Sequence, residues 1–119
     1  MQRFTELIVW QRSHALVLDI YKLTLDFPRD ERFNLTSQVR RSVLSVPTNI
    51  AEGAKRIGRQ EYARFLNIAE ASLAETEYLL LVSRDLGYVT HERHDKEQKN
   101  IAEIARILHG LRTKVEGKA

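Results

Sequence analysis

The 119-residue sequence contains no cysteine and few residues that break helices. Without cysteine the chain can form neither a disulfide nor a thiolate metal site, which fits a reducing compartment. Only two prolines and five glycines occur, and no strand-like alternation of useful length appears. The contents of 43% hydrophobic and 29% charged residues argue against disorder. We expect one domain, 1–119, with a core over about 4–115 and a frayed tail at 116–119.

Long hydrophobic runs are also missing. The longest apolar run, residues 78–82, is far too short to cross a bilayer. The N-terminal residues lack the apolar segment and the cleavage site of a signal peptide. We therefore expect a cytoplasmic protein that does not associate with membranes. The net charge of +3 permits an anionic partner without requiring one.

Apolar residues recur at helical spacing in four stretches. The first stretch has one stripe of six residues and a second stripe beside it: Leu7, Trp10, His14, Val17, Tyr21 and Thr24, then Leu16, Ile20, Leu23 and Phe27. We interpret the aromatic residues of the first stripe as core residues and His14 as a core or interface histidine. The stretch ends before Pro28, because the residue preceding a proline avoids the helical conformation. Residues 29–34 are then expected to form a loop.

The third stretch begins near Tyr62 and ends at Gly87, a suitable residue just beyond a helix C-terminus. The fourth begins after Thr90, a suitable N-cap, and its first turns are so polar that we expect them to extend past the core. Short loops make consecutive helices antiparallel neighbours. The sequence therefore predicts an all-α, up-down-up-down four-helix bundle.

The second stretch contains a proline at its centre. Its stripe of apolar residues keeps the same register from Val39 to Ile57, straight through Pro47. Proline inside a helix removes one hydrogen bond and costs about 3 kcal/mol. The unbroken register favours one kinked helix over about 36–55, whereas the alternative is two helices that meet at Pro47. Gly53 lies on the core stripe, which indicates that another backbone approaches closely there.

Motifs of known chemistry are missing from the sequence. It has no P-loop, no dinucleotide fingerprint, no nucleophile elbow and no HExxH motif. His91 and His94 lie one turn apart and could share a metal ion, but such a pair in a charged stretch more often belongs to a solvated helix start. We expect a non-catalytic protein with no metal, no cofactor and no small-molecule substrate.

The distribution of charge is more informative. Residues 40–64 contain six cations and two carboxylates, whereas residues 67–85 contain four carboxylates and one arginine. The two faces could pair within the chain or between subunits, for example Arg41 with Glu75. They could instead remain solvated, or the basic face could bind the phosphates of a nucleic acid. On the sequence alone these three possibilities stay open, with pairing favoured.

The chain resembles a known family along most of its length. The segments that carry the resemblance are VWQRSH, DIYKLTLDFPRDE, LTSQVRRSVLSVPTNIAEG, RFLNIAEASLAETE and DLGY, within residues 4–115. They are similar to the bacterial four-helix-bundle proteins of the 23S rRNA intervening-sequence family, which are related to the accessory variability proteins of diversity-generating retroelements. The resemblance implies a bundle with a proline in its second helix, and a homopentameric ring. It also implies binding to RNA or to a nucleic-acid-processing protein through a basic surface.

The ring is also expected from apolar side chains on the outer stripes of the helices. We expect six residues to exceed what four helices can cover internally: Leu16, Ile20, Leu23, Phe65, Ile68 and Leu79. Unlike faces that meet head to tail close into rings when the rotation allows it.

Candidate site residues follow from these points. We expect four cations to contact RNA: Arg40, Lys55, Arg56 and Arg59. We expect six residues to serve structure or assembly: Arg41, Pro47, Asn49, Glu52, Gly53 and Glu75. The alternative function is that of an assembly or adaptor protein without any nucleic-acid role, and a metal-dependent enzyme is the third.

Overall fold

The computed structural model describes residues 3–117, and four α-helices make up most of that range. They are α1 (Ile8–Thr24), α2 (Leu35–Ala54), α3 (Arg59–Asp85) and α4 (His91–Val115). Short 3-10 helices at Phe4–Glu6 and Arg29–Glu31 precede α1 and α2. No strand occurs between residues 3 and 117, which confirms the all-α prediction. The end of the tail that was expected to fray, Lys118 and Ala119, lies outside the described residues.

The ends of α3 and α4 follow from local chemistry that the sequence predicts. Gly87 has a φ of 81°, its N–H donates to the carbonyl of Arg84, and the N–H of Tyr88 donates to that of Ser83. This is a Schellman motif, which requires a residue that tolerates positive φ. At the start of α4, the hydroxyl of Thr90 accepts a hydrogen bond of 3.1 Å from the N–H of Arg93, as expected of an N-cap.

Each helix packs against two others. Helices α1 and α3 both contact α2 and α4, while among the described residues α1 does not pack on α3, nor α2 on α4. Polar contacts show the register, because Ser42 contacts Thr76 and Ser45 contacts Ser72, each at 2.9 Å between hydroxyl oxygens. Residue numbers thus rise along α2 as they fall along α3. The Cα atoms span 44 × 24 × 20 Å, so the molecule has two distinct ends.

The core contains residues from all four helices. Its most deeply buried members are aliphatic: Leu16, Ile20, Val39, Val43, Val46, Ile50, Leu66, Leu80, Ile101, Ile104 and Leu108. Burial of such side chains stabilises the fold by about 1.5–3 kcal/mol each. No helix within residues 3–117 combines the length and the apolar character needed to cross a membrane.

The second predicted stripe of α1 forms most of its core-facing side, joined by Val17 and Thr24 of the first stripe. The second stripe, with Leu16, Ile20 and Leu23, is buried together with Val9 and Ser13. Tyr21 is exposed, so its prediction as a core residue was wrong, whereas Trp10 is half-buried and packs against the edge of the core. His14 is exposed, so it is not a core histidine, and its place at an interface stays a prediction.

The edge of α1 explains that error. Two adjacent apolar stripes share α1, and the aromatic residues of the first stripe lie at the boundary between core and surface, where only Trp10 packs against the core. Trp10 stacks on His14 with ring centroids 5.1 Å apart, and it meets Phe4 edge to face at 5.2 Å. The true core stripe passes through Ser13, whose hydroxyl donates to the carbonyl of Val9 and so is compatible with burial.

Most of the six apolar residues that were expected to need a second subunit are in fact covered within the chain. Leu16, Ile20, Leu23 and Leu79 are all buried within the single chain, and Phe65 is half-buried. Of the six residues, only Ile68 is exposed, at 38%. Four helices therefore cover most of the surface for which the sequence predicts a second subunit.

Helix α2 runs without interruption through Pro47, so the prediction of one continuous helix is confirmed. Proline leaves the carbonyl of Val43 without its usual partner, and side chains bond to the next two carbonyls. The hydroxyl of Thr48 donates to the carbonyl of Leu44, and the amide of Asn49 donates to that of Ser45, each at 2.8 Å. The ring of Pro47 is itself buried, which gives it packing contacts in return.

The first turns of α4 do not extend past the core as the sequence suggested. His94 is 7% exposed and Glu97 is fully buried. Arg93 and Asn100 donate hydrogen bonds of 3.1 Å to the two carboxylate oxygens of Glu97. These partners allow the burial of a carboxylate, which would otherwise be costly. His94 and Glu97 continue the stripe of Ile101 backwards by turns of three and four, a signal that the polar composition obscured.

Candidate nucleic-acid interface

Four separate parts of the chain meet at one end of the molecule. Phe4, just before α1, lies beneath Lys55 at the end of α2, with the ammonium nitrogen 5.9 Å from the ring centroid. Gly117, beyond α4, lies against the guanidinium of Arg59 at the start of α3. We call this region, residues 3–6, 52–64 and 112–117, the basic end.

Charge is unevenly divided between the two ends. The basic end has seven cations, Arg3, Lys55, Arg56, Arg59, Arg64, Arg112 and Lys114, against four carboxylates. The opposite end, residues 22–32 and 84–93, has five cations and five carboxylates. Such a local excess of positive charge attracts anions over distances of about a Debye length. The fold thus assembles the basic end from segments that are far apart in the sequence.

Three of the predicted RNA-contacting residues lie together at the basic end. Lys55, Arg56 and Arg59 are all exposed, and within residues 3–117 none of them has a carboxylate partner within 4 Å. The guanidinium of Arg56 lies 4.8 Å from the centroid of the Phe65 ring, and that of Arg64 lies 5.6 Å from the same centroid. Contact with an aromatic face restrains a cation without neutralising it. Lys55 over Phe4 and Arg56 over Phe65 are therefore restrained and still free to meet an anion, while Arg59 is free without such a contact.

Arg40, the fourth predicted contact, is not brought to the basic end. It lies about 22 Å from Lys55 along the axis of α2. Its guanidinium donates to the hydroxyl of Thr24 at 2.8 Å and to the carbonyl of Tyr21 at 3.4 Å, and it lies over the Tyr21 ring. The structure gives Arg40 a role in joining α2 to the end of α1.

Arg41 and Glu75 do not form the ion pair that was suggested within the chain. Both are exposed, and no contact within 4 Å joins them. They nevertheless lie at the same level of the molecule, since each immediately precedes a member of the Ser42–Thr76 contact. An ion pair between two exposed side chains contributes little to stability, so little favours its formation within the chain.

Of the remaining predicted structural residues, Asn49 and Gly53 lie at the contact between α2 and α3. The amide of Asn49 bonds to the hydroxyl of Ser45 at 2.9 Å, and that hydroxyl contacts Ser72 at the same distance. A Cβ on Gly53 would lie 2.8 Å from the Cβ of Phe65, which confirms the close approach predicted there. Glu52 is exposed in the last turn of α2.

Arg112 differs from the other cations of the basic end because it forms ion pairs with two carboxylates. Its guanidinium donates a hydrogen bond to Glu70 of α3 and another, of 3.0 Å, to Glu116. The hydrogen bond with Glu70, followed by the charges of both carboxylates, raises the pKa of Arg112 above its ordinary value. His109 lies 3.5 Å from the second carboxylate oxygen of Glu70. Arg112 therefore links α3 and α4 and is a weaker candidate for phosphate contact than Arg59.

Sequence reasoning missed several residues of the basic end. Arg64, Arg112 and Lys114 belong to it, as does the exposed amide of Gln60, and the exposed amide of Asn67 lies one turn beyond Arg64 on α3. Arg64 falls inside the basic segment 40–64, so its charge was visible but not its position. The predicted up-down-up-down bundle places the end of α4 beside the start of α3, but the sequence alone does not tell which cations of α4 turn toward that junction.

The two histidines at the start of α4 differ in their exposure to solvent. His91 is exposed, whereas both ring nitrogens of His94 are buried without a hydrogen-bond partner. Within residues 3–117, no three side chains of the His, Asp and Glu types come together as a metal site would require.

Comparison with known proteins identifies the family. The model of the 23S rRNA-intervening sequence protein family matches residues 5–110. The chain belongs to this family. The resemblance drawn from the sequence segments is thereby confirmed. A search of curated proteins found no match.

A solved structure supports the fold of this family member. It is the 1.70 Å crystal structure of a protein with unknown function from the S23 ribosomal protein family, from Bacteroides thetaiotaomicron VPI-5482. The two chains are 27% identical and superpose with a TM-score of 0.79, covering 87% of this chain and 97% of the other. The four-helix arrangement is thus similar over nearly all of the Bacteroides protein.

Proposed function

We propose that this 23S rRNA-intervening sequence protein is a non-catalytic, cytoplasmic protein that binds structured RNA, free or in a ribonucleoprotein, through its basic end. One observation carries the proposal: the basic end contains seven cations and only four carboxylates, whereas the opposite end contains equal numbers of both. Lys55, Arg56 and Arg59 supply the free charges. The name of the family associates its members with 23S rRNA, which favours RNA as the first polymer to test.

The physical basis is the release of counterions from phosphates. Each phosphate that a cation neutralises contributes favourable free energy that falls as salt rises. Arg56 and Arg64 flank the single ring of Phe65, so two charges are held close together on a helical scaffold. Side chains restrained in this way lose less conformational entropy on binding than free ones do.

The proposed assembly is an antiparallel up-down-up-down bundle, kinked at Pro47, that closes into a homopentameric ring. The opposed residue numbering of α2 and α3 at their hydroxyl contacts supports the antiparallel arrangement. A ring would present five basic ends, and several weak phosphate contacts on one particle bind RNA more tightly than one. Arg41 and Glu75, exposed and unpaired within residues 3–117, are the proposed contacts between subunits.

A second candidate function is that of an assembly or adaptor protein without a nucleic-acid role. It is favoured by large apolar side chains that remain exposed away from the basic end, among them Leu25 at 74%, Phe33 at 80% and Tyr78 at 62%. Clusters of exposed apolar residues often mark surfaces that contact other proteins.

The salt dependence of RNA binding tests the proposal. A fluorescently labelled RNA hairpin is titrated with the parent and with a variant in which Lys55, Arg56 and Arg59 are all alanine, over a range of salt concentrations. We expect the slope of log K against log salt to become shallower by roughly 0.9 for each duplex phosphate that the variant no longer neutralises. If the variant binds as tightly as the parent at every salt concentration, the basic end is not an RNA site. The adaptor function would then be the better account.

A further inference from the structure

We propose that the cleft between α3 and α4 at the basic end binds one unstacked nucleotide of an RNA single strand. This inference rests on the proposed RNA-binding function and adds a specific ligand to it. The cleft has a volume of about 670 Å³. Arg59, Gln60, Arg64 and Asn67 line it from α3, and Arg112 and Glu116 line it from the α4 side.

The size of the cleft suits a small ligand. Cavities that hold small molecules typically measure about 300–1,000 Å³. A double helix could not place a base inside the cleft, because its bases are paired and stacked. Single-stranded loops and ends do present such bases, and proteins recognise them by hydrogen bonds to their edges and by stacking on aromatic or guanidinium planes.

The α3 wall offers hydrogen-bond donors at the spacing of a helix face. Gln60, Arg64 and Asn67 follow each other by four and three residues, so they share one side of α3. Within residues 3–117 the side-chain amides of Gln60 and Asn67 make no hydrogen bond, and both residues are exposed. A side-chain amide both donates and accepts, as the edge of a base requires. These two amides are the groups that would contact the base.

The charges of the cleft decide which way the nucleotide lies. On the α4 side, Arg112 is held by Glu70 and Glu116, so its charge is already compensated and Glu116 would repel a phosphate. On the α3 side, Arg59 has no carboxylate within 4 Å among the described residues, and Arg64 has only a loose contact of 3.5 Å with Glu61. The phosphate therefore lies toward Arg59 and the base toward Gln60 and Asn67, with Arg112 as a fixed wall.

Nucleotide titrations followed by NMR test this assignment. The four ribonucleoside 5′-monophosphates are added to the isotope-labelled parent, and the corresponding nucleosides and inorganic phosphate are added separately. The same titrations are repeated on Gln60→Leu/Asn67→Leu. Gln38→Leu serves as the matched control, because Gln38 is an exposed glutamine on α2 far from the cleft.

We expect at least one monophosphate to shift the side-chain signals of Gln60 and Asn67 and to bind more tightly than its nucleoside or phosphate alone. The double variant should bind that nucleotide at least about fivefold more weakly, while Gln38→Leu binds like the parent. If phosphate binds as well as every nucleotide, the cleft is an anion site and the inference is wrong. It is also wrong if no nucleotide shifts these signals, or if the double variant is unimpaired.

Failure of this inference is distinguishable from failure of the proposed function. If the RNA hairpin binds with the expected salt slope but no nucleotide enters the cleft, only the nucleotide assignment falls. If a nucleotide binds and the hairpin does not, the structured-RNA proposal falls and the cleft remains a nucleotide site.

Discussion

A Cβ atom added to Gly53 would lie 2.8 Å from the Cβ of Phe65 and 3.3 Å from the carbonyl oxygen of Tyr62. Both atoms belong to rigid parts of α3, so neither can move aside cheaply. The missing side chain therefore sets how closely α2 and α3 approach at the basic end. It also sets the position of Phe65, whose ring lies under Arg56 and Arg64. Packing between two helices thus positions two of the cations.

Gly53→Ala is expected to destabilise the protein. The overpacked contact should cost about 1–3 kcal/mol, more than the gain of about 1 kcal/mol that alanine brings within a helix. Gly110→Ala is the matched control, since nothing lies within 4 Å of a Cβ added at that exposed position of α4. Urea unfolding should give opposite signs, with Gly110→Ala stabilising by about 0.5–1 kcal/mol. Equal effects of the two changes would contradict the close approach.

Pro47→Ala is expected to leave the chain folded. The change restores an N–H to the middle of α2, and the melting temperature should stay level or rise. If α2 is kinked, straightening it should weaken assembly more than folding. Size exclusion with light scattering should then show a pentamer for the parent and smaller species for the variant. A parent that is monomeric at micromolar concentration would contradict the ring, and an unchanged oligomer in Pro47→Ala would contradict the role of the kink.

The sequence predicts the helical elements well because each rests on local signals. Thr90 and Gly87 mark helix ends through their own backbone chemistry, and the register through Pro47 reveals one helix. Whether a stripe becomes core depends instead on neighbouring helices, as His14 and Tyr21 illustrate. The polar composition around Glu97 suggested a solvated turn. Its burial depends on hydrogen bonds from Arg93 and Asn100, which the sequence does not reveal.

The candidate site was only partly predictable for the same reason. Lys55, Arg56 and Arg59 are close in sequence, so their clustering could be expected from the chain alone. Arg112 joins them only through the pairing of α3 with α4, and Arg40 is removed from them by its bonds to the end of α1.

Glu97→Ala is expected to destabilise the protein by about 1–3 kcal/mol, because the polar groups of Arg93 and Asn100 lose their acceptor. The side chain of Arg93 is 37% exposed and can reach water, which keeps the cost below that of a fully buried pair. Glu103→Ala is the control on the same helix, as Glu103 pairs with Arg12 at the surface. We expect it to cost about 0–1 kcal/mol in chemical denaturation. Equal losses for the two variants would contradict the importance of the buried carboxylate.

Tyr88→Phe should change how stability depends on alkaline pH. The hydroxyl of Tyr88 donates to Glu31 at 2.9 Å, and this hydrogen bond is the main cause that raises the pKa of Tyr88 above 10.0. Because the folded pKa is the higher one, the stabilisation is fully present below pH 10 and is lost as pH rises through the folded pKa. The difference in unfolding free energy between parent and Tyr88→Phe should therefore shrink only above pH 10. A difference that shrinks below pH 9 would contradict this assignment.

The central claim is that RNA meets one end of the molecule, and two matched triple variants test it most directly. One replaces Lys55, Arg56 and Arg59 with alanine, and the other replaces Lys22, Arg29 and Arg32, which are one lysine and two arginines exposed at the opposite end. Both remove the same charge, so a purely nonspecific attraction would suffer equally. Affinity for one RNA hairpin is measured at one salt concentration, after thermal melting has shown that both variants fold. We predict that the first variant binds roughly tenfold more weakly than the second; equal affinities would contradict the claim.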